Sequence, residues 1–257
     1  RGGSRKAAPV ALVGKGVTFD TGGISIKPAA KMEEMKGDMA GAAAVAGAML
    51  TLAMAGHRGP VVGVTPLVEN MPSGAAKRPG DVVRSHQGRT IEIIDTDAEG
   101  RLILADALAY TVRRFRPSAI VDLATLTGSV IAALGHIYAG IFSNDDRLAA
   151  ALLAAGRPVG ERLWRLPLDP DYETHLASDI ADIRQIAPDE ESADAVHAAQ
   201  FLQGFVGKTP WAHLDIAGVE FLRGSGRFGG SGFAVRLLAG FLAGGAARRR
   251  PRRRRGS

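Results

Sequence analysis

The chain has 257 residues, 46% of them apolar, no cysteine and a formal charge of +6. That length holds one large domain or two small ones with a sizeable core, and the missing thiols exclude disulfides and thiolate zinc sites, which fits a cytoplasmic protein. The charge belongs to the tail, where Arg248, Arg249, Arg250, Arg252, Arg253, Arg254 and Arg255 carry seven positive charges and leave residues 1–247 at −1.

Residues 1–8 are polar and read as a loose segment. Residues 9–13 read as a buried strand running into a glycine-rich stretch, 14–28, where glycines permit close backbone approach. Lys15 between two glycines is not an ordinary solvated lysine, but the spacing of a phosphate loop is missing, and Asp20 has an everyday role in such turns. Residues 39–50 form a helix of small residues, with Asp38 where a capping residue would stand and Met35 more often core filler than ligand contact. Residues 60–68 contain another buried strand, and 70–90 form a loop rich in Pro, Gly and Ser, long enough to be functional or interface-forming. Residues 91–94 read as a short buried strand and 102–110 as a helix. The run Asp95-Thr96-Asp97-Ala98-Glu99-Gly100-Arg101 therefore lies where a strand ends and a helix begins. The helix dipole favours acids there; ligands of α/β folds also collect at that edge. Residues 120–124 form a strand that ends in the turn Thr125-Leu126-Thr127-Gly128.

Further on, 138–142 read as a strand, 147–155 as a helix, 163–168 as extended, 193–206 as a helix, 211–218 as a strand with a tight exit and 233–242 as the last helix. Residues 244–257 are an Arg-rich tail of the kind that stays disordered. Strands alternating with helices indicate an α/β fold with a mixed, largely parallel sheet and helices on both faces. No apolar run approaches the roughly 18 residues that span a bilayer, and no secretory pattern opens the chain.

Several chemistries lack their residues. The histidines at 57, 86, 136, 175, 197 and 213 form no HExxH pair. There is no GxSxG elbow and no GxGxxG after the first strand. What remains is acids and cations at strand ends: Asp20, Asp38, Asp97 and Glu99 with Lys15, Lys27 and Arg101. Four carboxylates balance two divalent cations. Such a pair activates water and polarises a carbonyl, with zinc, manganese and magnesium all open.

The segments 14–28, Met35-Lys36-Gly37-Asp38-Met39, Thr96-Asp97-Ala98-Glu99-Gly100-Arg101-Leu102 and Trp211-Ala212-His213-Leu214-Asp215-Ile216-Ala217-Gly218 resemble, in order, the leucyl aminopeptidase (cytosol aminopeptidase) family. The likeness covers residues 9–243. It implies a zinc-peptidase-like catalytic domain and a dinuclear aminopeptidase that removes N-terminal residues, preferably apolar ones such as leucine, from peptides. By position, Lys15, Asp20, Asp38, Asp97 and Glu99 would be metal ligands, with Asp20 and Glu99 bridging and Lys15 neutral. Lys27 matches the family's electrophilic lysine. Arg101 matches the arginine that holds a bicarbonate ion, the proposed proton shuttle. Met35, Thr125, Leu126 and Gly128 match residues around the first side chain of the substrate. The family assembles as hexamers.

The chain departs from the pattern at Asp95, where the family has Asn; at Ala75, where it often has Asn; and around Ala193-Asp194-Ala195, usually richer in Gly. The family's N-terminal domain and the first part of its catalytic domain precede residue 9. A fragment, a truncated inactive remnant and a misassigned start codon are the readings of that difference. The alternative function is a non-enzymatic protein that binds nucleic acid through the Arg tail; beside the peptidase reading, nucleic acid is expected only as a nonspecific partner of that tail.

Overall fold

A computed structural model describes residues 7–188, 193–222 and 229–244. The loose segment expected at the N-terminus and the Arg tail lie, apart from residues 7, 8 and 244, outside the described residues.

In chain order the elements are β1 (Val10–Gly14), β2 (Gly16–Asp20), a 3-10 turn (Met32–Gly37), α1 (Ala40–Met54), β3 (Val61–Val64), β4 (Leu67–Asn70), β5 (Val82–Arg84), β6 (Thr90–Glu92), α2 (Glu99–Phe115), β7 (Ala119–Ala124), α3 (Gly128–Leu134), β8 (Ala139–Ser143), α4 (Asp146–Gly156), β9 (Leu163–Arg165), β10 (Ile183–Arg184), α5 (Asp194–Gln203), β11 (Trp211–Asp215) and α6 (Val235–Ala243). The main sheet has the order β3-β1-β7-β11-β8-β9. Its first four strands are parallel, while β8 runs against β11 and carries β9 alongside it.

Alternation along β1 divides the core. Val10 and Leu12 face a layer of α1, α4 and α6, with Val45, Leu52, Leu152 and Leu237. Ala11 and Val13 face α2, α3 and α5, with Leu104, Leu108, Val130 and Phe201. Both faces are covered, as buried, continuously apolar central strands require.

The sequence expectation differs in several places. The strand expected at 91–94 is β6, which covers only residues 90–92 and lies in a small separate sheet of order β10-β6-β5. The stretch 14–28 hides β2, which pairs with β4 rather than with the main sheet. Residues 60–68 are two strands, β3 and β4, on different sheets and only partly buried. The turn at Thr127 opens α3, which the sequence reading missed; the Thr127 hydroxyl accepts from Val130 N–H at 3.2 Å and caps it. By length and composition the helical run Met32–Met54 could cross a bilayer, contrary to the sequence reading. Its α1 part buries Ala44, Val45 and Ala48 against the sheet and packs on α6, the position of a core helix.

One close approach sets the site. A Cβ on Gly41 would lie 2.2 Å from the Leu123 carbonyl oxygen, and one on Gly14 would lie 2.4 Å from the Gly41 oxygen. Glycine at both positions lets the start of α1 press onto the ends of β1 and β7. Ala42 N–H then donates to the Lys15 carbonyl at 2.8 Å, which leaves Asp38, two residues before that helix, beside Lys15.

Candidate metal centre

Lys15 follows β1 and is buried. Its ammonium donates to Asp38 Oδ1 at 2.9 Å, Glu99 Oε1 at 2.8 Å and the Thr125 carbonyl at 3.1 Å. Gly100 makes room for it, since a Cβ there would meet Lys15 Cε at 2.6 Å. Asp38 does not cap α1, whose first residues receive no side-chain cap. Its carboxylate turns inward instead, accepting from the Thr125 hydroxyl at 2.7 Å.

The second group is built around Lys27. It pairs with Asp20 Oδ2 at 2.9 Å and with Asp97. Asp20 Oδ1 accepts from Gly22 N–H at 2.9 Å and Asn70 Nδ2 at 2.8 Å. Asn70 also donates to the Thr96 carbonyl, and the Thr96 hydroxyl donates to Gly22 O and accepts from Ser25 N–H. The loops carrying Asp20 and Asp97 are thus sewn together. Asp95 accepts from Asp97 N–H at 2.8 Å, an Asx turn that an Asn oxygen would make equally well.

Asp20, Asp97 and Glu99 converge, each with an oxygen within 4.8 Å of the others. Asp38 Oδ2 and Glu99 Oε2 are buried without a hydrogen-bond partner. Buried carboxylate oxygens without donors are costly, so the donor set suits a hard or borderline cation.

The electrostatics carry the same strain. Burial, reinforced by Glu99 and only partly opposed by Lys15, pushes Asp38 up to about 7. Burial also pushes Asp97 up to about 6, with Asp20 and Glu99 adding and Lys27 opposing. Burial works against Asp20 ionising, yet Lys27, Gly22 and Asn70 outweigh it and hold its pKa below the ordinary value. For Lys15, burial pulls down, but Glu99 and Asp38 outweigh it and hold the ammonium above its usual value. Divalent cations among these acids would reverse that balance for Lys15, the condition under which its amine can be a ligand.

Except for Glu99, which reaches Lys15 from the first turn of α2, every site residue expected from the sequence lines one cavity of about 360 Å³: Lys15, Asp20, Lys27, Met35, Asp38, Asp97, Arg101, Thr125, Leu126 and Gly128. That helix begins at Glu99 rather than at residue 102, so Glu99 and Arg101 project from its first turn.

Three supporting residues escaped the sequence reading. The buried Gln185 accepts from the Ile94 and Asp95 N–H groups at 2.6 and 3.1 Å and donates to the Ala98 carbonyl at 3.2 Å, clamping the loop of Asp97. Asp215, at the end of β11, accepts from Leu126 N–H and the Thr127 hydroxyl and holds the turn after β7; burial raises its pKa. Asp194 pairs with Arg101 at 2.7 Å. Asp215 carried a signal in its place in the Trp211–Gly218 motif, and Asp194 in the departure from a Gly-rich pattern at 193–195, while Gln185 carried none.

A family model described as the cytosol aminopeptidase family, catalytic domain, matches residues 1–239. A probable cytosol aminopeptidase of Rhizobium rhizogenes is 58% identical over 241 residues, covering 93% of this chain and 48% of that protein. Proteins of the same description from Agrobacterium fabrum and Brucella melitensis are 57% and 56% identical over 240 residues each, covering 92% of this chain and 48% and 49% of theirs. The chain spans about half the length of the curated relatives it matches. Agreement at this level over nearly all of the chain makes it a member of the cytosol aminopeptidase family.

Proposed function

We propose that this chain forms the catalytic part of a dinuclear, metal-dependent aminopeptidase that releases N-terminal residues, apolar ones such as leucine by preference, from peptides. Lys15, Asp20, Asp38, Asp97 and Glu99 hold two divalent cations, zinc or manganese and less readily magnesium. When bound, these ions supply Lewis acidity for the scissile carbonyl and lower the pKa of a water.

The chain's own groups do the rest. Lys27, fixed by Asp20 and Asp97, donates to the carbonyl oxygen as negative charge develops there. Met35, Thr125, Leu126 and Gly128 wall the space for the first side chain, and Asp215 fixes that turn. The resemblance assigns bicarbonate to Arg101. In this chain the guanidinium spends one N–H of Nη1 on Gln185 O and one of Nη2 on Asp194, and Nε has no hydrogen bond, so a side-chain carboxylate already lies against this arginine. A bicarbonate ion bound there would share Arg101 with the Asp194 carboxylate, a like charge.

A homohexamer is the assembly the resemblance implies, and the description of the relatives as cytosol aminopeptidases supports a cytosolic location. Size-exclusion chromatography with light scattering tests the assembly. The observation that carries the functional reading is the convergence of Asp20, Asp97 and Glu99 around donor-less buried oxygens beside two lysines. Hydrolysis of leucine p-nitroanilide, measured with Mn2+ or Zn2+ and again with chelator, tests it. The expected rate is chelator-sensitive; a chelator-insensitive rate, or none in folded metal-loaded protein, overturns the reading.

A further inference from the structure

We propose that Asp194 is the proton-accepting carboxylate of this site, oriented by Arg101; the proposal rests on the aminopeptidase reading above. Arg101 is 2% exposed. Its Nη1 donates to the Gln185 carbonyl at 3.1 Å and its Nη2 to Asp194 Oδ1 at 2.7 Å. Because a guanidinium in a protein does not give up its proton, Arg101 serves to place a carboxylate and is not itself an acid or base.

Asp194 opens α5, and that helix start is fixed from outside. Ala195 N–H donates to Ser129 Oγ of α3 at 2.7 Å. The carboxylate is 44% exposed at its side chain and lines the same cavity as Lys15, Lys27 and Asp97. Its contact with Arg101 uses Oδ1, which leaves Oδ2 for water.

The neighbouring acids have other commitments. Asp20 and Asp97 pair with Lys27, Asp38 with Lys15, Asp95 with the Asp97 N–H, and Glu220, which lines the same cavity, is engaged as well. Arg101 fixes the position of the Asp194 carboxylate, which remains open to the cavity and so within reach of a water bound there.

The step balances without a further reactant. A water oxygen bonds to the scissile carbonyl carbon while one of its protons passes to Asp194 Oδ2. The C=O electron pair moves onto the oxygen that Lys27 faces. The C–N bond then breaks, the carbonyl re-forms, and the proton passes from Asp194 to the leaving amine nitrogen. One water is consumed, one amino acid is released and the Asp194 carboxylate is restored.

Chemical rescue tests this. Asp194→Ala and Asp194→Asn are assayed in the purified, metal-loaded protein on leucine p-nitroanilide, with and without sodium formate. Formate is also titrated calorimetrically, and circular dichroism checks the fold. Both variants are expected to lose about 100-fold or more in kcat. Formate should restore much of the alanine variant's rate and none of the asparagine variant's, whose amide fills the space. Formate should bind the alanine variant and not the wild type. An alanine variant that keeps about a third of the wild-type kcat, or one that folds but neither binds formate nor recovers, overturns the proposal. If the wild type itself is inactive, the aminopeptidase reading fails instead, and the titration still reports whether Asp194 occupies an anion site on Arg101.

Discussion

Replacing Gln185 by Ala should loosen the candidate site without touching a ligand. The buried side chain holds two backbone N–H groups and one carbonyl of the 94–98 loop. Removing it strands three polar groups and leaves a small void. A stranded buried group costs about 1–3 kcal/mol. Ile94 and Asp95 are only partly buried, so water repairs some of the loss, and the net cost falls at about 1–3 kcal/mol in all. In a domain of this size that lowers Tm by about 3–10 °C. The loop carries Asp97, so cation affinity should fall as well. Differential scanning calorimetry of the chelated protein and isothermal titration with Mn2+ separate the two effects. A variant that melts with the wild type and binds Mn2+ equally well would refute the clamp.

The other expectations concern packing, charge and the electrophile. Gly41→Ala adds a Cβ only 2.2 Å from a backbone oxygen that cannot swing away; it should cost about 1–3 kcal/mol where a helical Gly→Ala change ordinarily gains about 1, as denaturant titration would show. Asp38 and Asp97 have folded pKa values of about 7 and about 6, above the ordinary 3.8. The folded state therefore holds protons that the unfolded state has released, so the stability of the chelated protein should fall as pH rises from about 4 to about 7. Mn2+ at 100 times its Kd should add about 2.7 kcal/mol; melting curves that are flat with pH and unmoved by Mn2+ would contradict this. Lys27→Met should lower kcat by about 10²–10³ with a smaller effect on KM, read from steady-state kinetics.

The central parallel strands were legible because apolar runs such as Val10–Gly14 and Ala119–Ala124, the latter broken only by Asp122, are buried on both faces. The site was legible because its residues cluster in a few short segments and those segments carry a family pattern. The short strands off the main sheet were not. β2 sits inside a stretch whose glycines read as turn, and β6 is so short that its sheet cannot be assigned from its own sequence. Asp38 stood where a cap would stand, and only the close approach through Gly41 and Gly14 turns it to Lys15. Gln185 and Asp194 act over separations of about 90 residues from irregular chain or a helix start, where no periodicity announces a role.

Metal content decides the matter most directly. The protein, chelated and then reloaded with Mn2+ or Zn2+, should carry two ions per chain by mass spectrometry. Anomalous scattering should place them among Lys15, Asp20, Asp38, Asp97 and Glu99, and Asp97→Asn should lose at least one. Folded protein that takes up no ion there, or ions held by other side chains, would contradict a metal-dependent site built from these five residues.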